Sequence, residues 1–536
     1  MGNRIIACLL LISASSFLPA YAQEIDLLDY SDASGFLVDG AGAWITSTAT
    51  GDFNGDGLDD LALGVVLAQV GRNRTGAIQI IFGTTGAQSP DTRLLPLPNW
   101  GSVTIHHSGL PYSASLKVAA AGDVNNDGLD DLLIDDNPGY NNRTATYERT
   151  YVMYGSQSLP FWSVIDLEEL RRLLLVTEII GPADYSGYRK LVTAAGDIND
   201  DGIDDIAISY PLQSGLTPWT GNSILTFNIG RVYLLFGQPG GIPSPLRLDN
   251  NLEEHLGYYL TDRNHVTSPY TAFGASMAPL GDMNGDGVDD LAISVDYSYA
   301  YEGRTISKHA VRILLGDSRL SAPDKTYEES ELWDYYLHLG MIEIDGVGGS
   351  ITSVGGVGDV NDDGLADMLI GSVGKAFVVF GFDLESIQDA CRDDLGNDVH
   401  VENAISTDCG GGYEIIPRGG DFLPDVYASN GQGDMDGDGL NDVLVSFYKR
   451  NELMDNVGAI IFGHPGSGRY IPPSGSTRYL YTNEMQTYTG RRFKLPYMRH
   501  HLPTIAGWAG DLNIDGEDGF VFGLPLSLPG QVSARY

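Results

Sequence analysis

Seven short apolar runs, each flanked by glycine and aspartate, punctuate the chain: Leu61-Ala62-Leu63, Leu132-Leu133-Ile134, Ile206-Ala207-Ile208, Leu291-Ala292-Ile293, Met368-Leu369-Ile370, Val443-Leu444-Val445 and Phe520-Val521-Phe522. Runs this short, bounded by turn formers, suit strands buried on both faces better than helices. A second apolar run, ending in glycine, follows each of the first six: Ile80-Ile81-Phe82-Gly83, Val152-Met153-Tyr154-Gly155, Leu234-Leu235-Phe236-Gly237, Ile313-Leu314-Leu315-Gly316, Val378-Val379-Phe380-Gly381 and Ile460-Ile461-Phe462-Gly463. It predicts the next strand of the same sheet, closed by a turn. The seventh repeat reaches Gln531–Tyr536 without this mark, so its sheet reads as incomplete and the chain as a fragment of something longer.

Each of the seven runs is led by a nine-residue phrase, first seen as Asp52-Phe53-Asn54-Gly55-Asp56-Gly57-Leu58-Asp59-Asp60 and repeated from Asp123, Asp197, Asp282, Asp359, Asp434 and Asp511. Successive first aspartates are 71, 74, 85, 77, 75 and 77 residues apart. That period is too long for a helical hairpin and fits a four-stranded antiparallel blade with its loops, so the fold class is all-β. Glu24-Ile25-Asp26-Leu27-Leu28 resembles Val164-Ile165-Asp166-Leu167-Glu168, an outer-strand position, and is expected to add a closing strand to the last blade. The largest irregular tract, 382–432, is expected to be a loop insertion, with smaller ones at Pro211–Ile229 and Asn137–Arg149.

Alternate side chains at positions one, three and five converge when the backbone curls tightly, and glycine at position six permits the turn. With the position-seven carbonyl and the position-nine carboxylate they form a shell of hard oxygens, which suits calcium better than magnesium. Nitrogen and sulfur ligands are absent, which argues against zinc or copper. The candidate ligands are Asp52, Asn54, Asp56, Leu58 and Asp60; Asp123, Asn125, Asp127, Leu129 and Asp131; and Asp197, Asn199, Asp201, Ile203 and Asp205. They continue with Asp282, Asn284, Asp286, Val288 and Asp290; Asp359, Asn361, Asp363, Leu365 and Asp367; and Asp434, Asp436, Asp438, Leu440 and Asp442. The seventh copy offers Asp511, Asn513 and Asp515 but has Gly519 at position nine, so about six Ca2+ sites are expected and a seventh is weak or lost. An EF-hand would need an acid at position twelve. Leu63, Ile134, Ile208, Ile293, Ile370, Val445 and Phe522 stand there instead.

This phrase, with Phe273-Gly274-Ala275-Ser276 before the fourth copy, closely resembles the FG-GAP repeat of the integrin α-subunit β-propeller. Other copies degrade the Phe-Gly element, as at Ser186-Gly187-Tyr188 and Gly348-Gly349-Ser350. The resemblance covers nearly all of the chain after residue 22 and implies a single seven-bladed β-propeller over 23–536, with the calcium loops leaving the innermost strands. The 74 residues between the second and third loops leave no room for an inserted von Willebrand-type domain, and no Asp-x-Ser-x-Ser adhesion site appears. The chain therefore reads as an isolated, secreted, integrin-like propeller.

Charge agrees with that reading. The net charge is −40, which disfavours nucleic acid and anionic membranes, and 29 of the 71 acids fall inside the seven phrases. Arg4, the apolar stretch Ile5–Ile12 and Ala20-Tyr21-Ala22 predict a signal peptide over 1–22, and no later stretch is apolar enough to span a bilayer. The product is expected to be secreted, periplasmic or at the cell surface. Cys391 and Cys409 are then expected to form a disulfide, and Asn73 and Asn142 head glycosylation triplets.

The functional expectation is a secreted calcium-binding scaffold for adhesion, with calcium structural and the partner an unknown surface protein or glycan. A lectin-like glycan binder, or the accessory propeller of an extracellular hydrolase, is the alternative. No catalytic residues are expected. Gly316-Asp317-Ser318 occupies a turn shared with the other repeats, and the pairs His106-His107 and His500-His501 have no partner motif.

Overall fold

A computed structural model of the chain describes residues 6–12, 24–26, 35–39, 44–70, 73–84, 91–93, 102–107, 115–137, 148–159, 163–182, 190–211, 214–216, 226–228 and 230–248. It further describes 252–260, 270–301, 304–321, 342–347, 349–382, 399–405, 411–417, 424–448, 456–464, 479–481, 490–494, 505–512 and 518–526. Each of the first six repeats forms a four-stranded antiparallel blade. In the fourth, Tyr270–Gly281 pairs with Asp290–Tyr301, that strand with Arg304–Leu314, and the third with Ile342–Asp345. The second blade runs Ser115–Gly122, Asp131–Asn137, Arg149–Met153 and Val176–Ile180 in the same order. The first, third, fifth and sixth repeat the scheme. Together they make the integrin-like β-propeller architecture that the repeats foretold.

The apolar triplets lie in the second strands, and those of the first six blades are buried because both of their faces meet neighbouring blades. Side chains alternate across a strand. Leu132 and Ile134 accordingly pack with Ala62, Ile80 and Val103 of the first blade, while Leu133 between them packs with Ile206 and Tyr233 of the third. Ala509, Leu512 and Val521 of the seventh blade pack with Ile45, Leu61 and Leu63 of the first. Most blades also gain a parallel fifth strand from the repeat that follows, as Ser163–Asp166 lies along Ser102–His106. Such a strand covers an edge that would otherwise be open to association.

Three expectations are corrected. Glu24–Asp26 does not join the last blade; it lies parallel to Gly490–Lys494 of the sixth. Its likeness to residues 164–168 is sound, because that segment also leans on the blade before its own. The seventh sheet instead takes Ile6–Ile12, between Gly519–Leu526 and Gly35–Asp39, so four antiparallel strands are present there. The apolar segment read as a leader core thus holds the third place of that sheet. Finally, the tract 382–432 contains the outer strand of the fifth blade, Gly412–Ile416, and the first of the sixth, Asp425–Ala428. These short strands are neither led by the acidic phrase nor closed by the marker glycine, so turn-rich composition disguised them. Pro211–Ile229 likewise holds a small hairpin, Ser214–Leu216 with Thr226–Asn228. Cys391, Cys409, Asn142, His500 and His501 lie outside the described residues. Among the described residues, no helix is long and apolar enough to cross a membrane.

Candidate metal-binding loops

Each acidic phrase joins the first strand of its blade to the second. In the fourth loop the Asp282 carboxylate organises the curl: Oδ1 accepts from Gly285 N at 2.6 Å and Asp286 N at 3.1 Å, and Oδ2 accepts from Gly287 N at 2.8 Å. Asp286 N also donates to Asn284 Oδ1 at 2.9 Å, and Val288 N donates to Asp286 Oδ1 at 3.0 Å. Gly287 takes φ +89°, a conformation that a side chain would strain. A carboxylate offers about four lone-pair directions, so these bonds leave acceptor capacity for a cation.

Position nine ties the loop to the rest of its blade. Asp290 is fully buried; its Oδ2 accepts from Met283 N at 3.0 Å and its Oδ1 from Gly316 N at 2.9 Å. The same pair of bonds recurs at Asp60, Asp131, Asp205, Asp367 and Asp442, with Gly83, Gly155, Gly237, Gly381 and Gly463 as the distant donors. This accounts for the glycine that ends every second apolar run. A Cβ on Gly316 would lie 2.2 Å from the Asp289 carbonyl, and one on Gly83 would lie 2.5 Å from that of Asp59.

Position eight, to which the sequence reading gave no role, latches neighbouring loops. Asp130 Oδ2 accepts from Asp52 N at 2.8 Å, Asp204 from Asp123 N at 2.8 Å, and Asp289 from Asp197 N at 3.0 Å. Asp518 accepts from Asp434 N at 2.9 Å, and Asp59 from Asp511 N at 3.0 Å. In return, backbone N–H groups of the later loop donate to the earlier, as Asp518 N does to Asp434 O at 2.8 Å. A third bond runs from the residue after the marker glycine to the position-two carbonyl of the preceding loop, for instance Asp317 N to Ile198 O at 2.9 Å. Gly316-Asp317-Ser318 is therefore an interblade turn. The doubled aspartates at positions eight and nine were the available signal for this latch. Asp518 survives in the seventh copy although position nine there is Gly519.

Electrostatics marks the loops as sites of concentrated negative charge. Burial, together with the acids at positions one and five, raises Asp60, Asp131 and Asp290 to about 8 and Asp205 to about 9, and burial with the acids at positions one and three raises Asp442 to about 8, against the hydrogen bonds that lower them. Burial also pushes Asp367 well above the ordinary carboxylate value. Among the described residues, none of the ion pairs reaches these six carboxylates. The all-oxygen donor set fits a hard cation. In the sixth loop, where aspartate replaces asparagine at position three, oxygens of Asp434, Asp436 and Asp442 lie within 4.8 Å of one another. In the second, Asn125 Oδ1 is buried without a hydrogen-bond partner. Asn513 and Asp515 lie outside the described residues.

The histidine pair at 106–107, without a partner motif in the sequence, has partners in the fold. His107 is 6% exposed, with Nδ1 3.6 Å from Asp136 and Nε2 3.8 Å from Glu168. No spacing along the chain signals this group, because the three residues belong to different elements.

The FG-GAP repeat family matches residues 44–81 and 273–306, spans that run from the first strand into the third in the first and fourth blades. The second span begins at Phe273, 1% exposed between the third and fourth blades. Gly274 follows at φ +79°, where a Cβ would lie 2.5 Å from Ser209 Oγ. Integrin alpha-5 of Xenopus laevis is 27% identical over 287 residues, covering 52% of this chain and 23% of that protein. Integrin alpha-IIb of Mus musculus is 32% identical over 196 residues, covering 37% and 16%. Phosphatidylinositol-glycan-specific phospholipase D of Homo sapiens is 30% identical over 181 residues, covering 33% and 18%. The chain thus matches less than a quarter of the length of each of these relatives.

Proposed function

We propose that this integrin-like FG-GAP repeat protein is an extracellular binding scaffold whose acidic loops hold calcium to fix the blades. The observation that carries this reading is the stack of six fully buried position-nine carboxylates, each beside further acids of its own loop. Like charges confined together in low dielectric need a cation or a proton. In the fourth loop Asp282, Asn284, Asp286, the Val288 carbonyl and Asp290 would hold the ion, and the equivalent residues would do so elsewhere. The ion supplies charge neutralisation and orientation. The chain's own carboxylates meanwhile keep the backbone bonds that join loop, marker glycine and neighbouring blade.

Sites resembling extracellular calcium modules bind at roughly 0.1–1 mM. At about tenfold excess over such a constant, each occupied site stabilises the fold by about 1.4 kcal/mol. Several sites together then rival the net stability of an ordinary domain. Melting the full chain in 1 mM calcium and again with excess chelator tests this. A midpoint lowered by more than about 10 °C is expected, restored by adding calcium back. An unchanged midpoint would remove the calcium from the reading.

The partner is proposed to be a surface protein or glycan, consistent with the integrin relatives. The phospholipase D relative favours a second reading, in which this propeller is the accessory part of an extracellular hydrolase. Co-purification of an ester or phosphodiester hydrolase with the chain would favour that second reading.

A further inference from the structure

At the ends of the blades remote from the acidic loops, His107 sits where three elements meet. It follows the outer strand of the first blade, Ser102–His106. Asp136 comes from the second strand of the second blade and faces Nδ1; Glu168 comes from helix α1 (Leu167–Arg172) and faces Nε2. Tyr151, from the third strand of the second blade, sets its ring edge-on at 6.1 Å between centroids. Of the neighbouring charges, His106 stands 3.7 Å from Asp166, Arg149 and Arg171 both pair with Glu178, and Arg171 Nε also lies 3.5 Å from Glu168, on the helix's exposed side-chain surface.

Asp136 is 5% exposed, and its Oδ1 has no hydrogen-bond partner; neither does His107 Nδ1. A buried carboxylate in that condition is costly unless a positive charge stands beside it. A neutral imidazole can face one carboxylate as donor but presents a lone pair to the other, whereas imidazolium donates to both.

We propose that His107 is a proton-operated staple: as imidazolium between Asp136 and Glu168 it ties helix α1 and the edge of the first blade to the second, and loss of its proton releases that tie. Burial alone would lower the basicity of the ring. Asp136, then Glu168 and Asp166, outweigh it and hold its pKa above the ordinary 6.5. A group raised on folding contributes stability that is complete below its unfolded value and disappears as pH rises through the folded one. The junction should therefore be tight below the ordinary 6.5 and loosen as pH rises above it.

The test uses the full chain at saturating calcium, following thermal midpoint and hydrogen exchange at residues 102–107 and 131–137 from pH 6 to pH 9. In the wild type the midpoint should fall and exchange, corrected for its intrinsic pH dependence, should rise. His107→Gln should match the wild type at pH 9, fall below it at pH 6, and lose part of the pH dependence. The residual dependence is expected from Glu148, which titrates in the next seam. Glu168→Gln keeps the imidazole and removes one carboxylate, so it should move the transition to lower pH, and it serves if His107→Gln fails to fold. A constant deficit for His107→Gln at every pH would overturn the proposal. So would a transition that Glu168→Gln leaves where it was.

Discussion

The two ends of the second blade are held by different kinds of bond. At the loop end, backbone N–H groups donate to buried carboxylates in a pattern that recurs from blade to blade, as at Asp131 and Asp205. At the remote end the seams are closed by side-chain pairs: Lys190 Nζ lies 2.9 Å from Asp135 Oδ1, and His107 stands beside Asp136. Asp135 and Asp136 are adjacent on one strand, so they face opposite sides of the sheet, and each meets a cation from a different neighbouring blade. The loop end can be copied because backbone geometry is the same in every repeat. The remote end depends on particular side chains and is free to differ.

The contrast can be broken most severely at position nine. Asp290→Ala would leave Met283 N and Gly316 N without their buried acceptor and remove a proposed calcium ligand. Two orphaned buried donors cost about 2–6 kcal/mol. Urea unfolding at saturating calcium should show a loss in that range, with calcium no longer fully protecting. A loss near zero would mean the loop end is held by packing and not by its carboxylates.

Next in size is the remote seam. Lys190→Met leaves Asp135 buried, 2% exposed at its side chain, with no cation beside it, a change that typically costs about 3–5 kcal/mol. Replacing both partners, Lys190→Met with Asp135→Leu, should recover most of that loss. The pH dependence sharpens the test. Burial, with Asp135 and Asp136 adding to it and Lys190 opposing, raises Glu148 to about 7. Its contribution is present below the ordinary 4.5 and is lost as pH rises through 7. Without Lys190 the folded value should climb further, so the single variant should lose more stability between pH 6 and pH 9 than the wild type does. A parallel pair of pH curves would show that Lys190 does not act on Glu148.

These two regions also divide what could be read in advance. Blade architecture was legible because Leu132-Leu133-Ile134 and its counterparts are buried on both faces, leaving no room for polar residues. The acidic loops were legible because one geometry needs the same residue types seven times over. Strands Gly412–Ile416 and Asp425–Ala428 were not, since an outer or irregular strand has no obligation to be apolar on both sides. The His107 junction was invisible for another reason: Asp136 is 29 residues downstream and Glu168 is 61, and the folded topology alone brings them to one ring. Position eight was a near miss. Asp59, Asp130, Asp204 and Asp289 stand beside the proposed ligands in sequence, and nothing but the preceding blade's loop explains them.

The smallest predicted effects probe that latch. Asp130→Ala removes the acceptor for Asp52 N and should cost about 1–3 kcal/mol, as for a hydrogen bond to a charged group. The reverse experiment is available in the molecule itself. In the fifth loop position eight is Ala366, whose backbone N still donates to Asp282 O at 2.9 Å but which has no carboxylate to offer in return. Its Cβ lies 3.3 Å from where a Cβ on Gly281 would be, a more open approach than the 2.9 Å from Asp204 Cβ to the same point at Gly122. Ala366→Asp should therefore fit and gain up to about 1 kcal/mol from the restored bond. It also adds a negative charge between two acidic loops, and at Asp59, Asp204 and Asp289 burial raises the equivalent carboxylate above its ordinary value. The sign of the effect should consequently depend on calcium: a midpoint slightly above the wild type with calcium bound, and below it under chelator. A gain of equal size in both conditions would separate the latch from the metal, leaving the interblade bond as a purely structural device.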